Sequence, residues 1–251
     1  MITVTIVAKN AEETIEKTLQ SLTSFPEVLL LDTGSSDKTI QIAKTFPNVV
    51  LKESEFLGFG KTHNKASSLA KYDWILSIDS DEVLSSGLSS EILSLPLDPK
   101  TVYALDRHNF FRGKWIKGCS GWYPDKVTRL YNRISTRFSD DEVHEKILSS
   151  GLQLYTLTNP LYHYPYRKIS DFLSKMQQYS TLFAQQNKEK KSGGLGKAIL
   201  HSWATFLKSY FLKKGFLLGA EGFIISAYNA HTAFYKYLKL EEINKATDKV
   251  E

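Results

Sequence analysis

The first third of the chain alternates short apolar runs with segments whose apolar residues recur at helical spacing. The apolar runs predict four strands, at residues 2–8, 28–31, 48–51 and 74–78. The intervening segments predict helices at residues 11–22, just after Asp37, and at 61–70. Alternation at this pace is typical of a parallel sheet with helices on both faces.

The pattern changes in the middle of the chain. Strands are predicted at residues 102–108, 126–131 and 152–157, with no good helix between them, which indicates a mixed or antiparallel extension of the sheet. From Lys168 onward the apolar spacing is helical. We therefore predict an α/β domain at residues 1–166 and a helical C-terminal extension at residues 167–251.

Composition is that of a folded chain, since 42% of the residues are hydrophobic and 24% are charged. The net charge of +5 is unevenly distributed. Residues 167–215 contain ten basic and two acidic residues, a net charge of +8, so the rest of the chain is at −3. A localised basic segment favours a polyanionic partner, but it comes with no nucleic-acid-binding motif, so no nucleic acid is expected.

The basic segment also suits a membrane surface. Lysines at 208, 213, 214, 236 and 239 flank aromatic residues at 206, 210, 211 and 216, a pattern typical of a helix lying on an anionic leaflet. Residues 216–237 are interrupted by Glu221, Asn229 and His231, so no spanning helix is predicted. With no signal peptide evident and one cysteine, Cys119, we expect a cytoplasmic protein in peripheral contact with the inner membrane.

The strongest chemical signal is the sequence W-I-L-S-I-D-S-D-E at residues 74–82. An apolar strand runs directly into two carboxylates, Asp79 and Asp81, that repel each other unless a cation offsets their charge. Hard cations such as Mg²⁺ and Mn²⁺ prefer oxygen ligands. A solvated acidic turn that caps the next helix is the equally common alternative for an isolated D-x-D.

Two further strand ends carry polar groups. Asp32 ends the second strand, in L-L-L-D-T-G-S-S-D-K-T, and Asn10 follows the first, in T-I-V-A-K-N. The Asp32 carboxylate has no obvious capping role, so it could accept hydrogen bonds from a base or ribose. Because ligands of open α/β sheets bind at the carboxyl ends of strands, three such ends favour a nucleotide crevice.

Together with F-L-G-F-G-K-T-H-N-K-A at residues 56–66, these motifs resemble glycosyltransferase family 2. Within it, the chain looks most like the lipopolysaccharide core β-glucosyltransferases of the WaaE/KdtX type. The resemblance implies a GT-A fold, which is a Rossmann-like mixed sheet flanked by helices. It also implies an inverting transferase that uses a divalent metal (Mg²⁺ or Mn²⁺) and a nucleotide-sugar donor such as UDP-glucose. The implied acceptor is the lipopolysaccharide core or another glycan or lipid-linked molecule.

The resemblance also assigns roles to residues. Asp32 would contact the nucleoside, Asp79 the ribose or the metal shell, and Asp81 the metal itself. Lys61 and Asn64 would lie near the donor, with an exposed helix start as their structural alternative. A late histidine, His163, matches in order the one that many GT-A enzymes place on the metal.

Transfer also needs a general base to deprotonate the acceptor hydroxyl. The candidates lie in D-D-E-V-H-E at residues 140–145. The resemblance favours Glu145, with Asp141 as second choice and His144 orienting the sugar or the diphosphate. Trp115, Trp122, Tyr123, Asp125 and Arg129 are candidate walls of an acceptor pocket, with core packing as the alternative.

Two other functions fit parts of the pattern. Residues 79–84, D-S-D-E-V-L, resemble the D-x-D-x-[TV]-L motif of haloacid-dehalogenase-type phosphatases, which carry it on their first strand. Here the motif follows the fourth predicted strand. A non-catalytic sugar-nucleotide-binding module would keep the crevice but need no base.

Overall fold

The computed structural model describes residues 1–140, 145–166 and 168–247 of the 251-residue chain. The strands in those ranges are β1 Ile2–Ala8, β2 Glu27–Asp32, β3 Val49–Glu53, β4 Trp74–Asp79, β5 Glu82–Leu84, β6 Thr101–Phe111, β7 Lys114–Trp115, β8 Lys126–Asn132 and β9 Gln153–Tyr166. The α-helices are α1 Ile15–Gln20, α2 Thr39–Ala43, α3 Phe59–Leu69, α4 Ser86–Ser94, α5 Ile169–Asn187, α6 Leu195–Leu207 and α7 Ala220–Thr247. A π-helical turn, Lys208–Leu212, and a 3-10 turn, Gly215–Leu218, lie between α6 and α7.

The strands form one mixed sheet in the order β3-β2-β1-β4-β8-β6-β9-β5, and β7 pairs with β6. The pairs β3–β2, β2–β1 and β1–β4 are parallel. By contrast, β8 is antiparallel to both β4 and β6, and β5 is antiparallel to β9. The predicted mixed α/β sheet with flanking helices is therefore confirmed.

The chain forms two compact units. The first consists of residues 1–107 and 125–163, and the second of residues 108–124 and 164–251. The second unit thus includes the segment 108–124, which the sequence pattern had placed in the α/β domain. Among the described residues, no helix combines the length and the apolar composition needed to cross a bilayer.

The core of the first unit is built on the parallel strands. Val4 and Ile6 of β1 and Leu30 of β2 are fully buried, and Ile15 and Leu19 of α1 pack in the same cluster. Parallel strands covered by helices on both faces are buried on both sides, which explains the nearly continuous apolar runs in the sequence.

The short elements α4, β5 and β7 are absent from the sequence-based prediction, and strand β9 is longer than predicted. Helix α4 was not predicted, because Ser and Gly are weak helix formers. It forms because Leu88 and Ile92, four positions apart, are buried, and because the Ser85 hydroxyl accepts a hydrogen bond from Leu88 N at 3.1 Å. Strand β9 has 14 residues and extends to Tyr166, well beyond the predicted end at residue 157.

The second unit is mainly helical around an aromatic core. Phe111, Trp122, Phe172 and Ile225 pack in one cluster with Cys119. Burial raises the pKa of the Cys119 thiol, which is therefore protonated at neutral pH. These contacts show Cys119 and Trp122 packed in the core, which is the structural alternative considered for Trp122.

His63 joins α3 to the sheet of the first unit. Its buried imidazole places Nδ1 3.2 Å from Ser77 Oγ on β4 and stacks on Phe138, with 4.7 Å between ring centroids. Burial lowers the pKa of His63 to about 4, although the nearby Asp79 carboxylate opposes this shift. The buried ring is therefore neutral at pH 7.

We expect the free energy of unfolding to fall more steeply with acid in the wild type than in His63→Asn. The pKa of His63 is about 4 in the folded protein and 6.5 in the unfolded chain. Between pH 4 and pH 6.5 the unfolded chain therefore binds more protons than the folded protein. Stability is therefore retained above pH 6.5 and lost as the pH falls towards 4, by up to about 3 kcal/mol. Urea unfolding of both proteins at several pH values measures the difference, and parallel pH profiles would contradict it.

Candidate active site

Two of the predicted aspartates flank the carboxyl end of β1. In the strand register, Asp32 of β2 lies opposite Ala8, and Asp79 of β4 lies opposite Val7. Since neighbouring strands are about 4.8 Å apart, the backbones of the two aspartates are roughly 10 Å apart. The chain continues from β1 to β2 and β3 on one side and returns to β4 on the other. Such a reversal of strand order is where open α/β sheets bind ligands.

The loops after β1 and β2 are hydrogen-bonded to each other. Ser36 N donates to Asn10 Oδ1 at 2.8 Å, and Asn10 N donates to Ser35 Oγ at 2.9 Å. Glu12 N also donates to Asp37 at 3.0 Å. The φ angle of Asn10 is 52°, a left-handed conformation that asparagine tolerates better than most residues. These bonds hold the two loops together at the carboxyl ends of β1 and β2.

Asp32 shapes its own loop. Its buried carboxylate accepts hydrogen bonds from Gly34 N at 3.0 Å and from Ser35 N at 2.9 Å, and it also accepts one from the Ser35 hydroxyl. The sequence had suggested no local role for Asp32, and the structure provides one. The contact of Asp32 with a nucleoside stays a prediction.

A buried carboxylate, Glu82, organises the charges at the end of β4. It accepts hydrogen bonds from Arg107 Nη1 and Arg129 Nη2, both at 3.0 Å, and from Asp79 N at 3.0 Å. Asp125 binds the other side of Arg107, with 2.8 Å between Oδ2 and Nε. The Glu82 side chain is completely buried, so its charge depends on these donors.

Asp79 forms a close ion pair with Arg129, and its side chain is 37% exposed. Burial alone would raise the pKa of Asp79, but the Arg129 guanidinium outweighs this and lowers the pKa below its usual value. Likewise, burial would lower the pKa of Arg129, yet Asp79 and Glu82 raise it. Both groups are therefore charged at neutral pH, with one edge of the Asp79 carboxylate held by the protein.

Asp81 lies beside His163, with 3.5 Å between Oδ1 and Nε2. The pairing of β5 with β9 brings them together, because Glu82 is the register partner of His163. The carboxylate oxygen is the kind of ligand that Mg²⁺ and Mn²⁺ prefer, and an imidazole nitrogen is a common metal ligand in proteins. No group of three or more metal-ligating side chains occurs among the described residues. Mg²⁺ sites commonly use one or two carboxylates and complete the coordination with substrate phosphates and water.

Glu145 and Asp79 line the same cavity, which has a volume of about 390 Å³. Its wall also contains four cationic side chains, those of Arg107, Lys126, Arg129 and Lys146. The structure therefore brings the favoured general base and one acid of the D-x-D motif to one space with a positive lining. The other two candidates from this segment, Asp141 and His144, lie outside the described residues.

Lys61 and Asn64 line a separate cavity of about 380 Å³, together with Asp140. Asn64 is bonded to Phe138 in both directions: Asn64 Nδ2 donates to Phe138 O at 3.0 Å, and Phe138 N donates to Asn64 Oδ1 at 2.9 Å. The side chain thereby holds the backbone just before the segment that carries the candidate bases. Neither alternative from the sequence, a donor contact or an exposed helix start, had anticipated this contact.

The sequence-based reasoning missed Glu82 and Arg107 and gave Arg129 a different role. One signal could have found Glu82: it alternates with the apolar Leu84 on β5, so both side chains point to the same face of the strand. Leu84 is buried. A carboxylate on that face requires cationic partners nearby.

Comparison with known proteins decides the family. Residues 3–152 match the family model of Glycosyl transferase family 2. The chain belongs to this family. A glycosyltransferase of Rickettsia bellii (strain RML369-C) is 31% identical to it over 255 residues, which cover 95% of this chain and 85% of the relative.

Two further similarities refine the picture of this glycosyltransferase. The lipopolysaccharide core biosynthesis glycosyltransferase LpsC of Rhizobium meliloti (strain 1021) is 26% identical over 249 residues, which cover 94% of this chain and 90% of LpsC. The crystal structure of S. aureus TarS residues 1–349 with UDP-GlcNAc aligns with a TM-score of 0.50 at 14% identity, over 100% of this chain and 92% of that one. The predicted GT-A fold is confirmed.

Family membership favours the transferase over the two other hypotheses. In addition, the Asp79 carboxylate, which would be the nucleophile of a haloacid-dehalogenase-type phosphatase, is bound to Arg129 in this glycosyltransferase.

We expect Glu82→Gln to lower the free energy of unfolding by about 3 kcal/mol, because it leaves the buried Arg129 guanidinium and the partly exposed Arg107 guanidinium without their shared, fully buried counter-charge. Asp125→Asn is the matched control. It removes one acid from the same network, but the Asp125 side chain is 21% exposed, so we expect a loss of about 1 kcal/mol or less. Urea unfolding of the two variants and the wild type measures the difference. Equal losses would contradict the central role of Glu82.

Proposed function

We propose that this glycosyltransferase moves a hexose, glucose, from UDP to a lipopolysaccharide core or another lipid-linked glycan, with inversion at the anomeric carbon. The observation that carries the proposal is the convergence of Asp79 and Glu145 on one positively lined cavity. The similarity to LpsC supports the acceptor class. The choice of glucose and UDP rests on the sequence motifs that resemble the lipopolysaccharide core enzymes.

The nucleotide is proposed to bind at the carboxyl ends of the parallel strands, where the strand order reverses between β1 and β4. Asp32 and Asn10 are proposed to contact the nucleoside, because they lie at the carboxyl ends of β2 and β1. Lys61 is proposed to approach the donor as a cation. Asn64 is proposed to act on the donor site indirectly. Its side-chain amide is hydrogen-bonded to the backbone of Phe138, and Phe138 lines the same cavity as Asp79.

Asp81 and His163 are the proposed protein ligands of a divalent cation, Mn²⁺ or Mg²⁺. When bound, such an ion would act as a Lewis acid that stabilises the diphosphate leaving group. Asp79 is proposed to face the ribose or the outer coordination shell, because Arg129 already holds one of its oxygens. This arrangement gives the two acids of the motif different tasks.

Glu145 is the proposed general base. Its carboxylate would take the proton of the acceptor hydroxyl as that oxygen forms a bond to the anomeric carbon, and the bond from this carbon to the diphosphate would break with its electron pair leaving on UDP. The four cations that line the cavity favour negative charge developing there. Asp141 is the second candidate base, and His144 is proposed to orient the sugar or the diphosphate.

We expect Asp81→Asn to abolish the metal-dependent part of donor binding. In the wild type, UDP-glucose with Mn²⁺ should raise the melting temperature more than UDP-glucose with EDTA, because a ligand that binds only the folded state stabilises it. In Asp81→Asn this difference should vanish, and transfer should fall by about 100-fold or more. The remote variant Asp98→Asn should behave as the wild type. Metal-dependent transfer unchanged by Asp81→Asn would refute the ligand role.

We expect Glu145→Gln to reduce kcat by about 100-fold or more while leaving the affinity for UDP-glucose within about threefold, because a base acts in the chemical step. The assay measures UDP release and sugar incorporation into truncated lipopolysaccharide, with titration calorimetry for donor binding. Glu16→Gln, the same change at an exposed carboxylate of α1 that does not line this cavity, is the matched control. If only Asp141→Asn lowers kcat in this way, the base is Asp141. If no sugar nucleotide supports transfer by the wild type, the proposed reaction is wrong.

A further inference from the structure

The solvent-facing side of helix α6 is apolar. Leu195, Ile199, Trp203 and Leu207 recur every four residues, so they lie along one face of the helix, and all of them are exposed. Trp203 is 63% exposed and Leu200, next to this row, is 67% exposed. Helices on the surface of a soluble protein usually present polar residues to water, so α6 has the opposite arrangement.

The other side of α6 is already occupied. Ala198 is fully buried, and the His201 ring stacks on Tyr237 of α7, with 4.2 Å between the ring centroids. Both helices belong to the second unit. The packing of α6 on α7 therefore accounts for the inner face of the helix and leaves the outer apolar face without an explanation from the fold.

The exposed apolar surface continues beyond α6. The π-helical and 3-10 turns that follow add four large exposed side chains, so that nine such residues occur in the span 195–217. We call them the α6 face: Leu195, Ile199, Leu200, Trp203, Leu207, Phe211, Leu212, Phe216 and Leu217. Exposed apolar surface of this extent marks an interaction site in soluble proteins.

The positive charge around the α6 face favours an anionic partner. Residues 190–220 contain six lysines and neither Asp nor Glu. Four of them lie within the span of the α6 face: Lys197, Lys208, Lys213 and Lys214, all exposed. A second copy docked on this face would bring like charges together, whereas an anionic lipid surface attracts them. Apolar residues that include a tryptophan, flanked by lysines, are typical of helices in the membrane interface.

We propose that the α6 face inserts into the interfacial layer of an anionic bilayer, with α6 lying in the membrane plane. Its apolar side chains would reach about 5–10 Å into the boundary between headgroups and acyl chains. Lys213 and Lys214, in the turn after the π-helix, would contact anionic headgroups. The proposal names no residue of the candidate active site and does not depend on the proposed function, although a lipid-linked acceptor would be presented at such a surface.

Vesicle flotation tests the proposal with the full-length protein. Vesicles of phosphatidylcholine alone are compared with vesicles that also contain about 30% phosphatidylglycerol. The wild type should bind the anionic vesicles at least about tenfold more strongly. Leu200→Ser/Trp203→Ser and, separately, Lys213→Glu/Lys214→Glu should each reduce that binding about tenfold or more.

Matched controls come from the first unit. Leu154→Ser removes an apolar side chain that is 62% exposed, and Lys17→Glu/Lys44→Glu reverses two exposed lysines; both should float as the wild type does. Circular dichroism checks that all variants are folded. UDP-glucose hydrolysis without membranes should be unchanged in the α6 variants, which separates failure of this proposal from failure of the proposed function.

Trp203 also reports directly on insertion. Brominated phosphatidylcholine in the anionic vesicles should quench tryptophan fluorescence in the wild type, and Trp203→Phe should remove most of this quenching while binding persists. Flotation that is unaffected by Leu200→Ser/Trp203→Ser would overturn the proposal. A second outcome would also overturn it: the wild type binds no vesicles, and light scattering shows that it forms multimers without lipid that Leu200→Ser/Trp203→Ser dissociates. The α6 face would then be an interface between copies of the chain.

Discussion

The charge of Glu82 is the constraint on which the candidate site depends. Its completely buried carboxylate is acceptable only because Arg107 and Arg129 donate to it, and these residues lie on β6 and β8. Because Arg129 also binds Asp79 at the end of β4, one network ties the parallel part of the sheet to its antiparallel extension. The position of Asp79 therefore follows from the pairing of distant strands.

This network gives the two acids of the D-x-D motif different surroundings. Asp79 is the last residue of β4 and is bound by a guanidinium. Asp81 lies in the turn before β5 and faces His163 of β9. An aspartate held by arginine is a fixed acceptor, whereas an aspartate beside an imidazole offers donor atoms to a cation. The two aspartates are equivalent in the sequence motif, and the fold gives them different neighbours.

The two compact units carry different kinds of surface. In the first, polar and charged side chains gather at strand ends and line cavities. In the second, the exposed features are large apolar side chains and lysines between residues 190 and 220. The uneven distribution of charge along the sequence thus corresponds to a physical division of the molecule. Recognition of a small charged ligand needs the first kind of surface, and adsorption to a lipid layer needs the second.

The sequence by itself determined the parallel strands, the helical C-terminal part, the family and the strand ends that carry Asn10, Asp32 and Asp79. Continuous apolar runs and helical spacing involve residues that are close together in the chain, so they can be recognised from the sequence alone. Only the tertiary structure decided the Glu82 network and the meeting of Asp81 with His163. Those partners are separated by tens of residues, as with Arg129 and Glu82, which are 47 positions apart. Helix α4 belongs with them, because burial of Leu88 and Ile92 outweighs its weak intrinsic preference for helix.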